Sequence, residues 1–363
     1  MKIIKKIVFT IALVAGVVFL LYQFIPSVEE KSLLPLSDKS IIDAHVHVAG
    51  LGYGDSGCFI NDEMRNNFRF PFYLMAMGVS EAQLEEKGDR ILFDLISKSI
   101  RSSQSIGKAI ILAMDGVVRD GELDKSATQI YVPNDYVYEE TLKTDNLLFG
   151  ASINPYRPDA IERLRQVHKQ GAVLIKWIPS IMDIDPADQA ITAFYEEMAA
   201  LDIPLLTHTG MEKSFSMAKD ELADPLRLTL PLELGVRVIA AHIATTGESD
   251  GQDNFERILP MFRQYPNLFA DVSSLTQFNK LGYLKKALAI KELENRLIYG
   301  TDWPLQFFPV VSPWYHLDQI SFAEAKAIQS IGNQWDRDVA LKVAMGVDKS
   351  HFYLGNNFFN DAH

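Results

Sequence analysis

The chain has 363 residues, 48% hydrophobic and 23% charged, a globular balance with ample length for a large core. Its formal net charge of −12 comes with no basic block or stripe, which argues against nucleic acid as a partner. A single cysteine, Cys58, excludes an internal disulfide and any zinc-finger spacing.

In chain order, the first feature is "MKIIKK" ahead of the uncharged run "IVFTIALVAGVVFLLYQFI", residues 7–25. A helix of that length spans roughly 28 Å, enough for a bilayer core, and Lys2, Lys5 and Lys6 favour a cytoplasmic N-terminus. Residues 1–25 therefore read as a transmembrane anchor, with a cleaved signal sequence as the alternative. Either way the rest of the chain is expected outside the cytoplasm, in the periplasm of a bacterium. Residues 26–39 read as a linker, and residues 40–363 as the catalytic unit.

From residue 40 onward one pattern repeats, a short β-rich run followed by a helix-like stretch. Strands are expected at 40–48, 107–116, 146–154, 172–179, 203–209, 236–243, 267–273 and 296–302. "DAIERLRQVHKQG" illustrates the helices, with Asp159 as expected N-cap and Gly171 as the stop. Eight strands alternating with helices predict parallel pairing and a (β/α)8 TIM barrel. No G-x-G-x-x-G or Walker motif supports the alternative, an open doubly wound sheet. Long insertions follow strands one (50–106) and two (116–145), the kind of segment that forms lids and binding loops. Within the first, "FRFPFYLMAMGV" is apolar enough for a lid, a homodimer contact or a membrane-facing patch.

In such barrels chemistry sits at the C-terminal strand ends. His45 and His47 of "DAHVH" lie two apart on strand one and so share a face. Strand four carries Lys176, strand five ends in His208, strand six in His242 and strand eight in Asp302. Four of the eight histidines thus fall at strand ends, while His168, His316, His351 and His363 fall elsewhere. Imidazoles and a carboxylate on one rim predict a divalent metal, Zn2+ first, with Mn2+, Fe2+, Co2+ and Ni2+ compatible. Without thiolate ligands the site reads as catalytic rather than structural. Asp115 and Asn154 also end strands but serve equally well as local caps. Arg65 and Arg69 are candidates to clamp a substrate carboxylate, and Trp303 to pack under the rim and line the pocket.

"DAHVHV", "THTG", "AAHIA" and "YGTDWP", in that order, resemble the amidohydrolase superfamily. The nearer resemblance is to its amidohydrolase-related branch, which includes aminocarboxymuconate-semialdehyde decarboxylase and pyrone-dicarboxylate lactonase, and it extends from residue 40 to about 358. The resemblance implies that His45, His47, His208 and Asp302 hold or border the metal, with Lys176 and His242 as further ligands if two ions bind. It implies that metal-activated water attacks a small-molecule substrate. Asp302 would act as base and then acid, and His242 would polarise the substrate oxygen or orient the water. In two-metal members a strand-four lysine is carboxylated and bridges the ions. Lys176 is either that group or an ammonium beside the carboxylates. The expected function is a metal-dependent hydrolase of an amide, lactone or ester. The alternatives are a non-oxidative decarboxylase of the same branch and a non-catalytic metal-binding protein.

Overall fold

The computed structural model describes residues 22–26, 28–34 and 36–360. Eight parallel strands form one sheet: β1 Ile41–His47, β2 Ile106–Leu112, β3 Leu147–Ala151, β4 Leu174–Trp177, β5 Leu205–His208, β6 Val238–Ala241, β7 Leu268–Asp271 and β8 Leu297–Ile298, bonded in that order. The two edges meet just beyond β8. The Ala44 amide donates to the Tyr299 carbonyl (3.2 Å), the Asp302 amide to His45 (2.9 Å) and the His47 amide to Trp303 (3.0 Å). The sheet is therefore a nearly closed barrel, ringed by helices as the alternating pattern predicts. All eight strands lie where expected, but each stops short of its expected C-terminal end. There the backbone leaves the ladder to aim polar side chains inward.

Both faces of the sheet are buried, which is why the strands read as near-continuous apolar runs. Ile42, Ala44, Ile110, Leu112, Leu174, Leu206, Ile239, Ala241 and Ile298 fill the barrel. Ile41, Val46, Ile111, Ile175, Val238 and Ala270 face the helices. Phe358 and Phe359, at the end of the last helix (Lys349–Asn360), join the interior cluster. Arg237, which precedes β6, donates to the Phe358 carbonyl at 2.9 Å. The last helix thus closes the N-terminal end of the barrel and leaves only the other end open.

One irregularity in β1 determines where the histidines point. Asp43 pairs with Ala109 and Val46 with Ile111, so three steps on β1 match two on β2. This bulge breaks the alternation after Ala44 and turns both His45 and His47 toward the open end of the barrel. Asp43 holds it in place. Its Oδ1 accepts from the amides of His45 (3.1 Å) and Thr301 (3.0 Å), and its Oδ2 from the Thr301 hydroxyl (2.6 Å) and Trp335 Nε1 (2.8 Å). Burial pushes the Asp43 carboxyl up to about 6, against these hydrogen bonds.

The first insertion folds into helices α1 (Phe70–Met77), α2 (Glu81–Lys87) and α3 (Ile91–Ser102). Ser80 and Gln83 form a capping box that starts α2. Leu92, Phe93, Ile96 and Ile100 bury one face of α3. Phe59–Ile60 pairs antiparallel with Ile130–Tyr131 of the second insertion, joining the two into one roof. Helix α4 (Ala160–Lys169) forms as expected and stops at Gly171 with φ 85°. The expected cap at Asp159 is not made, because its carboxylate accepts from Arg163 Nε at 2.8 Å instead. Among the described residues no helix is long and apolar enough to cross a membrane. The anchor expected over residues 1–25 falls outside the described residues but for its last four.

Asp43→Asn is expected to lower unfolding stability by about 3 kcal/mol, because an amide nitrogen would face donors it cannot accept from. Urea unfolding measures this, and a loss under about 1 kcal/mol would show that Asp43 does not hold the bulge.

Candidate metal centre

Six side chains expected from the sequence reach the open end of the barrel and line one cavity: His45, His47, Lys176, His208, His242 and Asp302. His45 Nε2 lies 3.0 Å from His47 Nε2 and 3.5 Å from Asp302 Oδ1, which is 3.4 Å from His47 Nε2. A second, overlapping set is His45, His242 and Asp302, whose ligand atoms lie within 4.8 Å of one another. His45 and Asp302 belong to both sets. His208 packs edge-on against His242 with ring centroids 5.3 Å apart.

The tautomers are decided by groups behind the rings. Asp271, at the end of β7, accepts from His45 Nδ1 at 2.7 Å and from the His242 amide at 2.9 Å. His242 Nδ1 donates to the Ser273 carbonyl at 3.1 Å. Both Nδ1 atoms carry the proton, so both Nε2 lone pairs face the cavity, the arrangement a metal ligand needs. Burial lowers the pKa of His45 to about 4, helped by Lys176, and lowers those of His242 and His208. All three rings are thereby kept neutral. Burial would raise Asp302, yet the attraction of His242 when protonated, a hydrogen bond from His47 and the attraction of His45 when protonated draw it well below the usual carboxylate range.

The residues fit a metal by a further observation. His208 Nε2 is buried and makes no hydrogen bond. An unsatisfied buried nitrogen costs stability unless something binds it. Neutral donors and one ionised carboxylate around a cavity are the set a divalent ion selects. Lys176 is fully buried, with Nζ 3.0 Å from His45 Nε2, so it occupies the lone pair that a metal would take.

Backbone strain gathers at the same place. His242, Ile243 and Ala244 have φ of 58°, 54° and 52°, and Ser274 and Asp302 have 59° and 63°. Non-glycine residues adopt this region only where the surroundings compel it, at roughly 1–3 kcal/mol each. Here the compelling contacts are the hydrogen bonds to Asp271 and to the His45 carbonyl, and one from the Ser274 hydroxyl to Asp302 Oδ2.

Arg65 pairs with Glu81, and Arg69 donates to the Lys213 carbonyl at 2.7 Å, so neither lines the cavity as the clamp expected of them. Trp303 is buried beneath the rim against Trp335, ring centroids 6.0 Å apart, and does not line the cavity. Asp115 and Asn154 act as local ties. Asp115 Oδ2 accepts from Arg157 Nε (2.7 Å) and the Asn154 amide (2.7 Å), and the Asn154 side chain donates to the Gly116 carbonyl (2.9 Å). Sequence reasoning missed Asp271, Ser273, Glu212 and Lys280. Asp271 was findable, since it lies two residues from the end of a predicted strand, close to where Asp302 sits on its own strand. Glu212 and Lys280 lie in loops, where no periodicity marks them.

A parallel barrel with histidines and an aspartate at its C-terminal rim defines a class of metal-site proteins. The amidohydrolase family model matches residues 42–329, and the chain belongs to that family. No curated protein sequence matches it. Among solved structures, the TIM-barrel protein Bb4693 from Bordetella bronchiseptica shares the fold at TM-score 0.52 and 15% identity, covering 84% of this chain and 99% of that one. The 5-carboxyvanillate decarboxylase LigW from Sphingomonas paucimobilis aligns at TM-score 0.47 and 11% identity, with 89% and 99% covered. A provisionally named 2-pyrone-4,6-dicarboxylic acid hydrolase from Pseudomonas putida aligns at 0.44 and 14%, with 85% and 99% covered.

Asp271→Asn is expected to weaken metal binding 10- to 100-fold, since it frees His45 to rotate. Chelator competition reads this, and an unchanged affinity would remove Asp271 from the site. Lys176 gives a pH test in the metal-free protein. Burial lowers its pKa from 10.5 to about 8, against the pull of Asp271, Asp302 and Glu212. The unfolded chain therefore binds more protons between those values, and stability rises with pH from about 8 to 10.5. Below pH 8 the buried charge costs the fold about 3 kcal/mol. Lys176→Met should be more stable than the parent at pH 7, with the gap closing toward pH 10. Equal stability at pH 7 would show that Lys176 buries no costly charge.

Proposed function

We propose that the protein is a metal-dependent hydrolase that cleaves an amide, lactone or ester bond. The observation that supports this best is the convergence of neutral imidazole Nε2 atoms on Asp302 at the floor of one cavity, with His208 Nε2 left without a partner. His45, His47, His242 and Asp302 would hold the ion, with His208 completing the set. A divalent ion bound there supplies Lewis acidity and lowers the pKa of water toward 7.

The chain's own residues supply the rest. Asp302 is ionised and held by the Ser274 hydroxyl on Oδ2. Its Oδ1 is left to accept a proton from the attacking water and return it to the leaving group. His242 Nε2 lies 4.0 Å from Asp302 Oδ2 and carries a lone pair rather than a proton. It is suited to ligate the ion or orient water, and not to donate to a substrate oxygen. Lys176 must move from His45 or lose its proton before an ion binds, and where it loses the proton, uptake releases that proton to solvent.

The second reading, a decarboxylase, draws support from the buried lysines Lys176 and Lys280 facing the cavity, since either could attract a substrate carboxylate. We also propose that residues 7–25 tether an exported barrel to a membrane, on the strength of that uncharged run behind three lysines. The exposed outer side of α1, with Phe72 and Met75, suits a position close to lipid.

Asp302→Asn is expected to lower kcat 10²- to 10⁴-fold. Elemental analysis of parent and variant measures the bound metal in parallel. Turnover in ¹⁸O-labelled water then separates the two readings. Label in a newly formed product carboxylate indicates hydrolysis, and CO2 release with no newly formed carboxylate on the organic product indicates decarboxylation. A fully active Asp302→Asn enzyme would overturn the proton-transfer assignment.

A further inference from the structure

The cavity has two unlike walls. Three lysines are buried in the described residues: Lys176, Lys280 and Lys342. Lys342 donates to Asp338 (2.7 Å) and to the Gly300 carbonyl (2.9 Å), and Lys176 meets His45. Lys280 is only 7% exposed, lines the cavity and makes no side-chain hydrogen bond or ion pair. Burying an ammonium without a partner is costly. Asp302, Glu212 and Asp271 offset that cost through space without touching it. Such a cation is built to meet an anion that arrives with a ligand.

The other wall is a sleeve of apolar side chains beneath the roof: Met64, Phe70, Leu74, Met77, Leu84 and Ile130. All but Ile130 come from the insertion after β1, and the Phe59–Ile60 pairing with Ile130–Tyr131 brings in the last. The cavity offers about 160 Å3 to the centre of a water-sized sphere. That is room for roughly ten waters, yet this wall gives them few partners. Lys280 follows β7 and the sleeve follows β1 and β2, so the strand order puts β8, with Asp302, between them.

We propose that the substrate is an anionic amphiphile of the N-acyl amino acid class. Its acyl chain lies in the sleeve, its amide carbonyl at the Asp302 cluster and its carboxylate on the Lys280 ammonium. The identity of the cleaved bond rests on the hydrolase reading above. The amide C–N bond breaks and a C–O bond forms to water oxygen. One water proton passes through Asp302 to the leaving nitrogen, the second passes from the new carboxylic acid to the freed amine, and the products are a fatty carboxylate and an amino acid.

The test measures binding to the metal-stripped full chain, where no turnover interferes. N-butanoylglycine, N-octanoylglycine and the neutral N-octanoylethanolamine are titrated calorimetrically. N-octanoylglycine should bind at least tenfold more tightly than N-butanoylglycine, since each buried methylene is worth roughly fourfold, and at least tenfold more tightly than N-octanoylethanolamine, which brings no carboxylate to Lys280. Lys280→Met should lower the ratio of anion to neutral affinity 10- to 100-fold, and Lys280→Arg should restore most of it. Affinity independent of chain length, or an unchanged ratio in Lys280→Met, would overturn the proposal. If Lys280→Met fails to fold, the parent still decides, because an anion-to-neutral ratio near one overturns it. Binding as expected without turnover by the metal-loaded enzyme would uphold the amphiphile and sink the hydrolase reading. Turnover of short neutral amides without amphiphile binding would do the reverse.

Discussion

The buried carboxylate of Asp43 is the contact on which the site depends. Four donors converge on it, from β1, from the segment beyond β8 and from Trp335 of the helix Gln334–Ala344. It joins the first and last strands at the point where the barrel would otherwise stay open. It also holds the extra residue of β1 that turns His45 and His47 inward. Closure of the fold and aim of the candidate ligands are thus one structural event. A barrel closed by a regular β1 would send the side chain two after Ala44, Val46, into the cavity and His45 out toward the helices.

Asp271 extends this logic across the barrel. It orients His45 through Nδ1 and fixes the His242 backbone in its left-handed turn. One carboxylate thereby sets a ring tautomer on β1 and a strained turn after β6. Strain is tolerable because His242, Ser274 and Asp302 are held by hydrogen bonds and Ile243 and Ala244 are fully buried in a tightly packed interior. The result is a rigid set of donors, the condition under which an ion or a reacting group is met without reorganisation.

Charge balance shapes the rest of the cavity. Asp271, Asp302 and Glu212 face Lys176 and Lys280 in surroundings of low polarity, where each charge strongly affects its neighbours. Lys176 is satisfied by His45, at the position an ion would claim. Lys280 is satisfied by nothing in the chain. The first fits competition with a metal and the second fits recognition of a ligand, although both are buried lysines lining one pocket.

Much of the fold was legible in the sequence. Parallel strands buried on both faces must be apolar throughout, and eight such runs alternating with helical stretches leave few architectures. Histidines at strand ends were legible for the same reason, since a polar residue ending an apolar strand stands out. What the sequence could not reveal was the bulge in β1, because register depends on the partner strand. It could not assign Arg65 and Arg69 to Glu81 and the Lys213 carbonyl, because a charged residue in a loop carries no direction of its own. Nor could it mark Lys280, whose isolation is a property of every group packed around it. The sequence by itself determined a barrel and the residues at its rim, through local patterns of apolar and polar residues. Only the tertiary structure decided which atoms face one another, because that follows from how distant segments close the barrel and exclude water.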